Sequence, residues 1–515
     1  MAGLQYAGEF SLDKCELISS AGVTVDISSL IVEINIFEDI FAHSLNGSII
    51  IGDTNNLVDN MPIVGQEFIA LKITTPGMAE QKIDFSENVF CLHEIGVRQE
   101  TTTSSEMIEL RICTPELLRN HRTRISKSYE ETIDKIVQSV LENEKYVNTK
   151  KDIFVEPTQG IRKIISPNYH PFHFIRNLTR ESISAKNNSP HYLFFENIFG
   201  YHFRSLQSLY EDGVQGEFHC GDKGFDEKYS SSSDAGKIAQ AFKRVLAYQV
   251  PNKNNSLYDI RGGMLGSTLI MHDIYNKKYT KSTFNYFENH DEYQRIEPHT
   301  KYNQVLIDDV NDVGSFTDSR IHLHPTSITE NDKDSQYMEV PPPTADELIE
   351  QGVDRGLALA AVAKEEEQTK ELVLFRDEEG ALQRTKEEEQ TKEENKDYMS
   401  NRADKWLLQR QQRVHELNSG AIINMSVNGN ASITIGQVIK ISVPIHGADH
   451  ENTGGVSKHQ SGLYLVSKVR HTFSPPTKTH RIHLQATKDA SPIELQKKAS
   501  GAEPKKSGKS RVYQL

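Results

Sequence analysis

The chain has 515 residues, more than one ordinary core can organise, so roughly two to four domains are expected. Only 37% of the residues are hydrophobic, which points to a sizeable share of solvated loop or polar extension. A net charge of −14 argues against a nucleic-acid-binding body, because phosphate contacts need clustered Lys and Arg. Cys15, Cys91, Cys113 and Cys220 are scattered without a CxxC pair and read as buried free thiols rather than a disulfide framework or zinc site. No apolar run of about 18 residues predicts a membrane span, and MAGLQYAGEF lacks the basic and apolar regions of a secretory signal, so folding in a reducing cytoplasm is expected.

Residues 1–114 read as β almost throughout. In Ile31–Thr75, Val32, Ile34 and Ile36 alternate with Glu33 and Asn35, the period of a half-buried strand. The runs Ser48–Ile51 and Glu67–Ile73 follow, separated by the loop Asp53–Pro62. Asn88–Val97 and Ser105–Cys113 add strands, the latter alternating Ile108, Leu110 and Ile112 with Met107, Glu109 and Arg111. So many strands in so short a stretch suggest a barrel or sandwich.

Pro115 opens an α/β module over residues 115–205. Ser128 and Glu131 have capping-box spacing ahead of a helix bearing Ile133, Ile136, Val137, Val140 and Leu141. A second helix is predicted from Phe172 to Ile183, then an aromatic hairpin, Tyr192–Glu196 and Tyr201–Arg204 around Gly200. Residues 206–335 are mixed: a polar linker at Ser230–Ser233, a helix over Gly236–Leu246 carrying Ile238, Phe242 and Val245, and two β runs in Ser256–Thr280 separated by Gly262 and Gly263. Residues 336–400 form a charged, low-complexity insertion, helical or disordered, in which KEEEQTK occurs at Lys364–Lys370 and Lys386–Lys392. Segment 344–397 holds about −9 of the net charge. Over 401–490, Asn401–Ser419 is an amphipathic helix with Gly420 at its C-cap. Ile423, Met425 and Val427 then alternate up to a hairpin signal at Asn428-Gly429, and Val438–Val443, Leu463–Val466, Val469–Phe473 and Arg481–Gln485 complete a second small barrel. Residues 491–515 are a basic, flexible tail.

Candidate chemistry is sparse. His322 and His324 in RIHLHP, and His170 and His173 in YHPFHF, have spacings that metals use, but no further ligands accompany them, and chance among 20 histidines explains them better. No P-loop, GxGxxG, GxSxG or Cys-His spacing occurs, and the glutamate runs lie where a rigid carboxylate pair is hard to hold. No catalytic residue, metal ligand or cofactor site is assigned, and the chain does not read as an enzyme.

Four stretches in order resemble the baseplate hub proteins of contractile-tailed bacteriophages: Phe37–Pro76, the module NYHPFHFIRNLTRESIS…HYLFFENIFGYHFRSL, DIRGGMLGSTLIMHDIYNKKY, and SGLYLVSKVRHTF. They span most of residues 30–485; the 336–400 insertion does not map onto the family pattern. The resemblance implies a mainly β chain with α+β insertions and two tube-like β-barrel domains, one at 1–114 and one at 401–490 that part of 206–335 helps complete. It implies a homotrimer forming a pseudo-six-fold ring, with the tail tube and tube-initiator proteins, the central spike and neighbouring baseplate proteins as partners. It places the protein in the virion baseplate, assembled in the host cytoplasm. The loop Asp53–Pro62 is then expected to reach the adjacent subunit or the tube. The alternatives are a baseplate-associated cell-wall hydrolase and a tail-tip receptor-binding β-protein, the latter requiring exposed aromatic clusters.

Overall fold

The computed structural model describes residues 4–54, 57, 63–102, 105–221, 234–251, 256–273, 278–290, 294–297, 316–325, 406–445, 456, 457 and 459–489. The protein is mainly β, and 13 of its strands form one continuous, largely antiparallel sheet. The insertion at 336–400, the linker Ser230–Ser233, the tail and most of the loop Asp53–Pro62 lie outside the described residues; within that loop Leu57 is buried.

Strands β1 (Ser11–Ile18), β2 (Thr24–Asp26), β3 (Ile31–Asp39), β4 (Asn46–Asp53), β5 (Phe68–Thr75), β6 (Met78–Thr102) and β7 (Ser105–Cys113) pair in the order β3-β4-β7-β6-β5-β1-β2. Their inward residues share one core, which includes Leu17, Ile34, Ile49, Leu71, Phe90 and Leu110. The start of β3 corrects the alternation expected from sequence. Ile31 pairs with Ile51 and Glu33 with Ile50, so Val32 is the extra residue of a bulge. Val32 is therefore exposed, and Ile31 joins Ile34 and Ile36 in the core.

The module follows: α1 (Pro115–Arg122), β8 (Ile125–Glu131), α2 (Ile133–Glu142), β9 (Asp152–Val155), β10 (Arg162–Tyr169), α3 (Pro171–Glu181), β11 (Tyr192–Asn197), β12 (Gly200–Ser205) and α4 (Leu206–Glu211). The capping box at Ser128 is not formed. Ser128 pairs with Ile165 in β8–β10, and Thr132 is the residue that precedes the helix. Strand pairing thus overrides the local signal. Helices α2 and α3 bury Ile133, Ile136, Val137, Phe174, Ile175 and Leu178 against the β11–β12 hairpin.

Next come β13 (Val214–His219), α5 (Asp234–Lys243) and β14 (Val245–Gln249), so the expected helix ends earlier and Val245 lies in a strand. The first expected β run of Ser256–Thr280 is instead a helix, α6 (Ser256–Gly262), turned at Gly263 with φ +80. Strands β15 (Gly266–Asp273) and β16 (Lys278–Asn285), helix α7 (Tyr286–Asn289) and β17 (Ile321–Pro325) form a separate three-stranded sheet. Helix α8 (Leu407–Ser419) leads into β18 (Ala421–Asn428), β19 (Val438–Ser442), β20 (Gly462–Ser474) and β21 (Thr479–Lys488). Gly420 is the C-cap of α8, as expected, with extended backbone, and a Cβ there would sit 2.6 Å from the Lys488 carbonyl oxygen. Asn428-Gly429 closes no hairpin, because β18 pairs with β21 and β14; Gly429 instead lets the chain pass the His480 ring, which a Cβ would meet at 2.0 Å.

The sheet contains an internal repeat. Its first half runs β3-β4-β7-β6-β5-β1 and its second β14-β18-β21-β20-β19-β13, with equivalent strands in the same chain order. The irregularities recur as well. β6 shifts register against β7 between Leu92 and Glu94, and β20 against β21 between Val466 and Lys468. β3 shifts against β4 between Ile31 and Glu33, and β14 against β18 between Val245 and Ala247. One pairing differs: β1 is antiparallel to β5, whereas β13 is parallel to β19. The halves meet where Lys468–Phe473 of β20 pairs with Ile34–Asp39 of β3. The second half encloses its own core, including Ile423, Met425, Ile441, Leu465 and Leu484.

Candidate functional site

The feature with the reach to act on partners is the polar face of the continuous sheet. Side chains alternate across each strand, so those opposite the cores line up on one surface. On it Lys468 Nζ lies 2.9 Å from Asp39, and Arg470 lies 3.3 Å from Glu33 and donates to Asn35 Oδ1 at 2.9 Å. In the first half Arg111 bridges to Glu94 at 3.0 Å and Glu109 at 3.4 Å. Both signs are interspersed, so the face is hydrophilic without a single-sign field. Where β14, β18, β21, β20 and β3 curve, it forms an open groove of about 590 Å³ bordered by Phe37, Tyr248, Asn424, Arg470 and His483.

Besides the edge strands β2 and β13, this sheet has two flanks without a strand partner among the described residues. β14 is the terminal strand, paired only with β18. β6 pairs with β5 only up to Cys91, so Glu94–Glu100 have β7 on one side and no strand on the other.

Beneath the surface, buried polar groups fix the halves and the module to one another. At the β3–β20 joint, Glu38 accepts from the Thr434 hydroxyl and from the Ile435 amide at 3.1 Å, and His471 Nε2 lies 3.3 Å from its other oxygen. His471 in turn contacts His480 at 3.1 Å; burial, with His471 beside it, holds the His480 pKa well below the usual range. Phe473 stacks on His480 at 4.0 Å and meets Phe10 edge-on at 5.2 Å.

The module is pinned by Lys151, which bridges Glu116 at 3.1 Å and also contacts Glu196. Burial opposes the ammonium charge, but Glu196 and then Glu116 outweigh it and raise the Lys151 pKa. Glu196 also accepts from the Leu45 amide at 2.8 Å and the Thr114 hydroxyl at 2.9 Å, tying β11 to the sheet. Helix α8 is the second clamp. Arg413 bridges Asp489 at 2.6 Å and Glu416 at 2.7 Å, and Asp489 accepts from Tyr210 at 2.7 Å. Arg410 donates to the carbonyls of Thr179 at 3.2 Å and Tyr192 at 3.0 Å; burial, then the Arg180 charge, lowers its pKa to about 10. In sequence these arginines are mixed with the apolar residues of the helix; their partners lie far away in the chain, and Arg413 is buried.

The histidines singled out by spacing are not brought together. His170 Nδ1 sits between the carbonyls of Asn120 and Thr123 at 3.0 and 2.9 Å, and His173 stacks on Tyr169 at 4.6 Å. His322 lies opposite Leu269 in β17–β15, where burial, then the Arg320 charge, lowers its pKa; His324 lies opposite Met271. Among the described residues no three His, Cys, Asp or Glu side chains gather as a metal site. The four cysteines are buried and unpaired. Tyr192, Phe194, Phe195, Tyr201 and Phe203 are all buried, which leaves this aromatic group no surface for a receptor. No helix among the described residues is long and apolar enough to cross a membrane.

Among solved structures, a tail protein from Neisseria meningitidis aligns at 8% identity over 93% of this chain and 97% of its own, with a TM-score of 0.45. The 43 kDa tail protein of prophage MuSo2 from Shewanella oneidensis aligns at 10% identity over 94% and 100%, TM-score 0.42. A component of the type VI secretion system from E. coli aligns at 9% identity over 94% of this chain and 78% of its own, TM-score 0.38. The phage P2 baseplate aligns at 7% identity over 94% and 100%, TM-score 0.29. With TM-scores under 0.5, these likenesses carry no weight for function. No family model matches the sequence, and no curated protein matches it.

Proposed function

We propose that this protein is the structural hub of a contractile tail or related injection machine, a non-enzymatic adaptor between tail tube and central spike. The observation that carries this is the internal repeat: one chain supplies two equivalent sheet halves already joined edge to edge. Three such chains in a ring present six equivalent units, so a six-fold tube on one side meets a three-fold spike on the other. In this account 1–114 is the first tube-like barrel and 401–490, with β13 and β14 from 206–335, is the second. The module at 115–205 braces them, and the insertion at 336–400 projects toward neighbouring baseplate proteins. The mixed-charge face lines the ring, where a hydrophilic wall with no net sign offers passing cargo little to adhere to. Obligate interfaces of this kind bury more than about 2,000 Å². Light scattering tests the proposal: a trimer is expected, alone or on adding spike protein. A monomer that persists with tube and spike proteins both present rejects it.

A further inference from the structure

We propose that β14 of one copy adds to the open flank of β6 in the next copy, antiparallel, with Gln249 opposite Gln99; this rests on the ring proposed above. Inside the chain, the joint between halves uses β3 from one half and β20 from the other. Their repeat equivalents are β14 and β6, and among the described residues each has a flank without a strand partner. The covered part of β20 begins beyond the point where β19 leaves it at Leu465, and the open part of β6 begins beyond the point where β5 leaves it at Cys91. The second joint is therefore the first one repeated between copies.

The repeat also sets the register. Asn35 lies opposite Ser48 as Gln249 lies opposite Asn424, and Ser48 and Asn424 in turn oppose Arg111 and Gln485, equivalent positions of β7 and β21. Counting along β7 and β21, Met107 matches Arg481, so Gln99 matches Thr472. The internal pair Asn35–Thr472 then becomes Gln249–Gln99 between copies, flanked by Val250–Arg98 and Tyr248–Glu100. Exposed apolar side chains stand on these strands, Leu246 at 46% and Val97 at 64%. Three such joints alternating with three internal ones close a ring of strands and cover the flanks of β14 and β6.

Ile40 donates its amide to Ser467 of β20, so Ile36 and Ile34 also aim there and Asn35–Thr472 is a non-hydrogen-bonded pair. Its copy at Gln249–Gln99 brings the two Cα atoms to about 4.5 Å, within disulfide reach. Within one chain six strands separate β14 from β6, roughly 30 Å, so any such bond joins two copies.

The test is mild oxidation of the full-length double variant Gln249→Cys/Gln99→Cys, read on a non-reducing gel beside light scattering. A covalent trimer is expected, absent from each single variant and from the register control Gln249→Cys/Glu94→Cys. A trimer by scattering that does not cross-link at 249/99, or links equally well in the control, overturns the strand pairing and leaves the ring standing. A monomer by scattering that persists with tube and spike proteins both present overturns both.

Discussion

The two halves of the sheet share a wiring diagram but not a way of being held together. In the first, β3 reaches β4 through the short link Ile40–Leu45, and the core is drawn almost wholly from its own strands. In the second, the equivalent step from β14 to β18 contains α6, β15–β17, α7 and α8, and the core recruits Leu193, Phe195, Leu206, Leu209 and Leu417 from the module and α8. A sheet fold thus tolerates a long insertion at one connection, at the cost of depending on the inserted parts. The expectation is that the first half holds largely through its own strands, and the second only while α8 and the module are seated.

That asymmetry breaks most severely at Arg413. Arg413→Leu leaves the buried Asp489 without its cation and Glu416 with only the Arg295 cation at 3.7 Å, and costs about 3–5 kcal/mol in denaturant unfolding. Hydrogen exchange should show the loss in β18–β21 while β4–β7 stay protected; uniform loss would mean that the halves are equally self-sufficient. Next in size is Glu38→Ala at the joint. It strands the Thr434 hydroxyl, the Ile435 amide and His471, and should lower stability by about 1–3 kcal/mol. An unchanged midpoint would remove Glu38 from the brace.

Acidification acts on the module and the second half through buried neutral histidines. The pKa values of His191 and His480 are held well below normal, and burial, then Arg204, lowers that of His202 to about 3. Unfolded histidines take up protons near pH ~6.5, before these folded ones do, so stability is full above that and falls as pH drops toward the folded values. Urea midpoints at pH 7 and pH 5 should differ in that direction, and equal midpoints would contradict it. The smallest effect belongs to His202→Phe. His202 is stacked between Phe154 and Phe195 at 4.6 and 4.9 Å, with neither ring nitrogen hydrogen-bonded. The variant should change stability at pH 7 by less than about 1.5 kcal/mol and make the acid loss shallower. A steeper acid loss would show that His202 is not buried neutral.

Much of the β content was legible because one-sided burial forces alternation: Ile108, Leu110 and Ile112 are fully buried as their spacing implied. What escaped were features decided by partners distant in the chain. Val32 sits in a bulge that only β4 defines, Ser128 is claimed by β10, and Asn428-Gly429 serves the His480 ring instead of a hairpin. The internal repeat escaped too, since it lives in strand pairing and bulge positions, with Asn35 matching Gln249 and Ile34 matching Tyr248. The polar sheet face followed from alternation, but its continuity across both halves depends on the β3–β20 joint, which no local pattern announces.

In the proposed assembly two equivalent halves per chain build a ring of six units from three copies. An electron-microscopy image of the isolated oligomer down its axis tests it most directly. Three-fold symmetry with six similar lobes around an open lumen is the predicted view; a dimer or a ring without six equivalent lobes would contradict it.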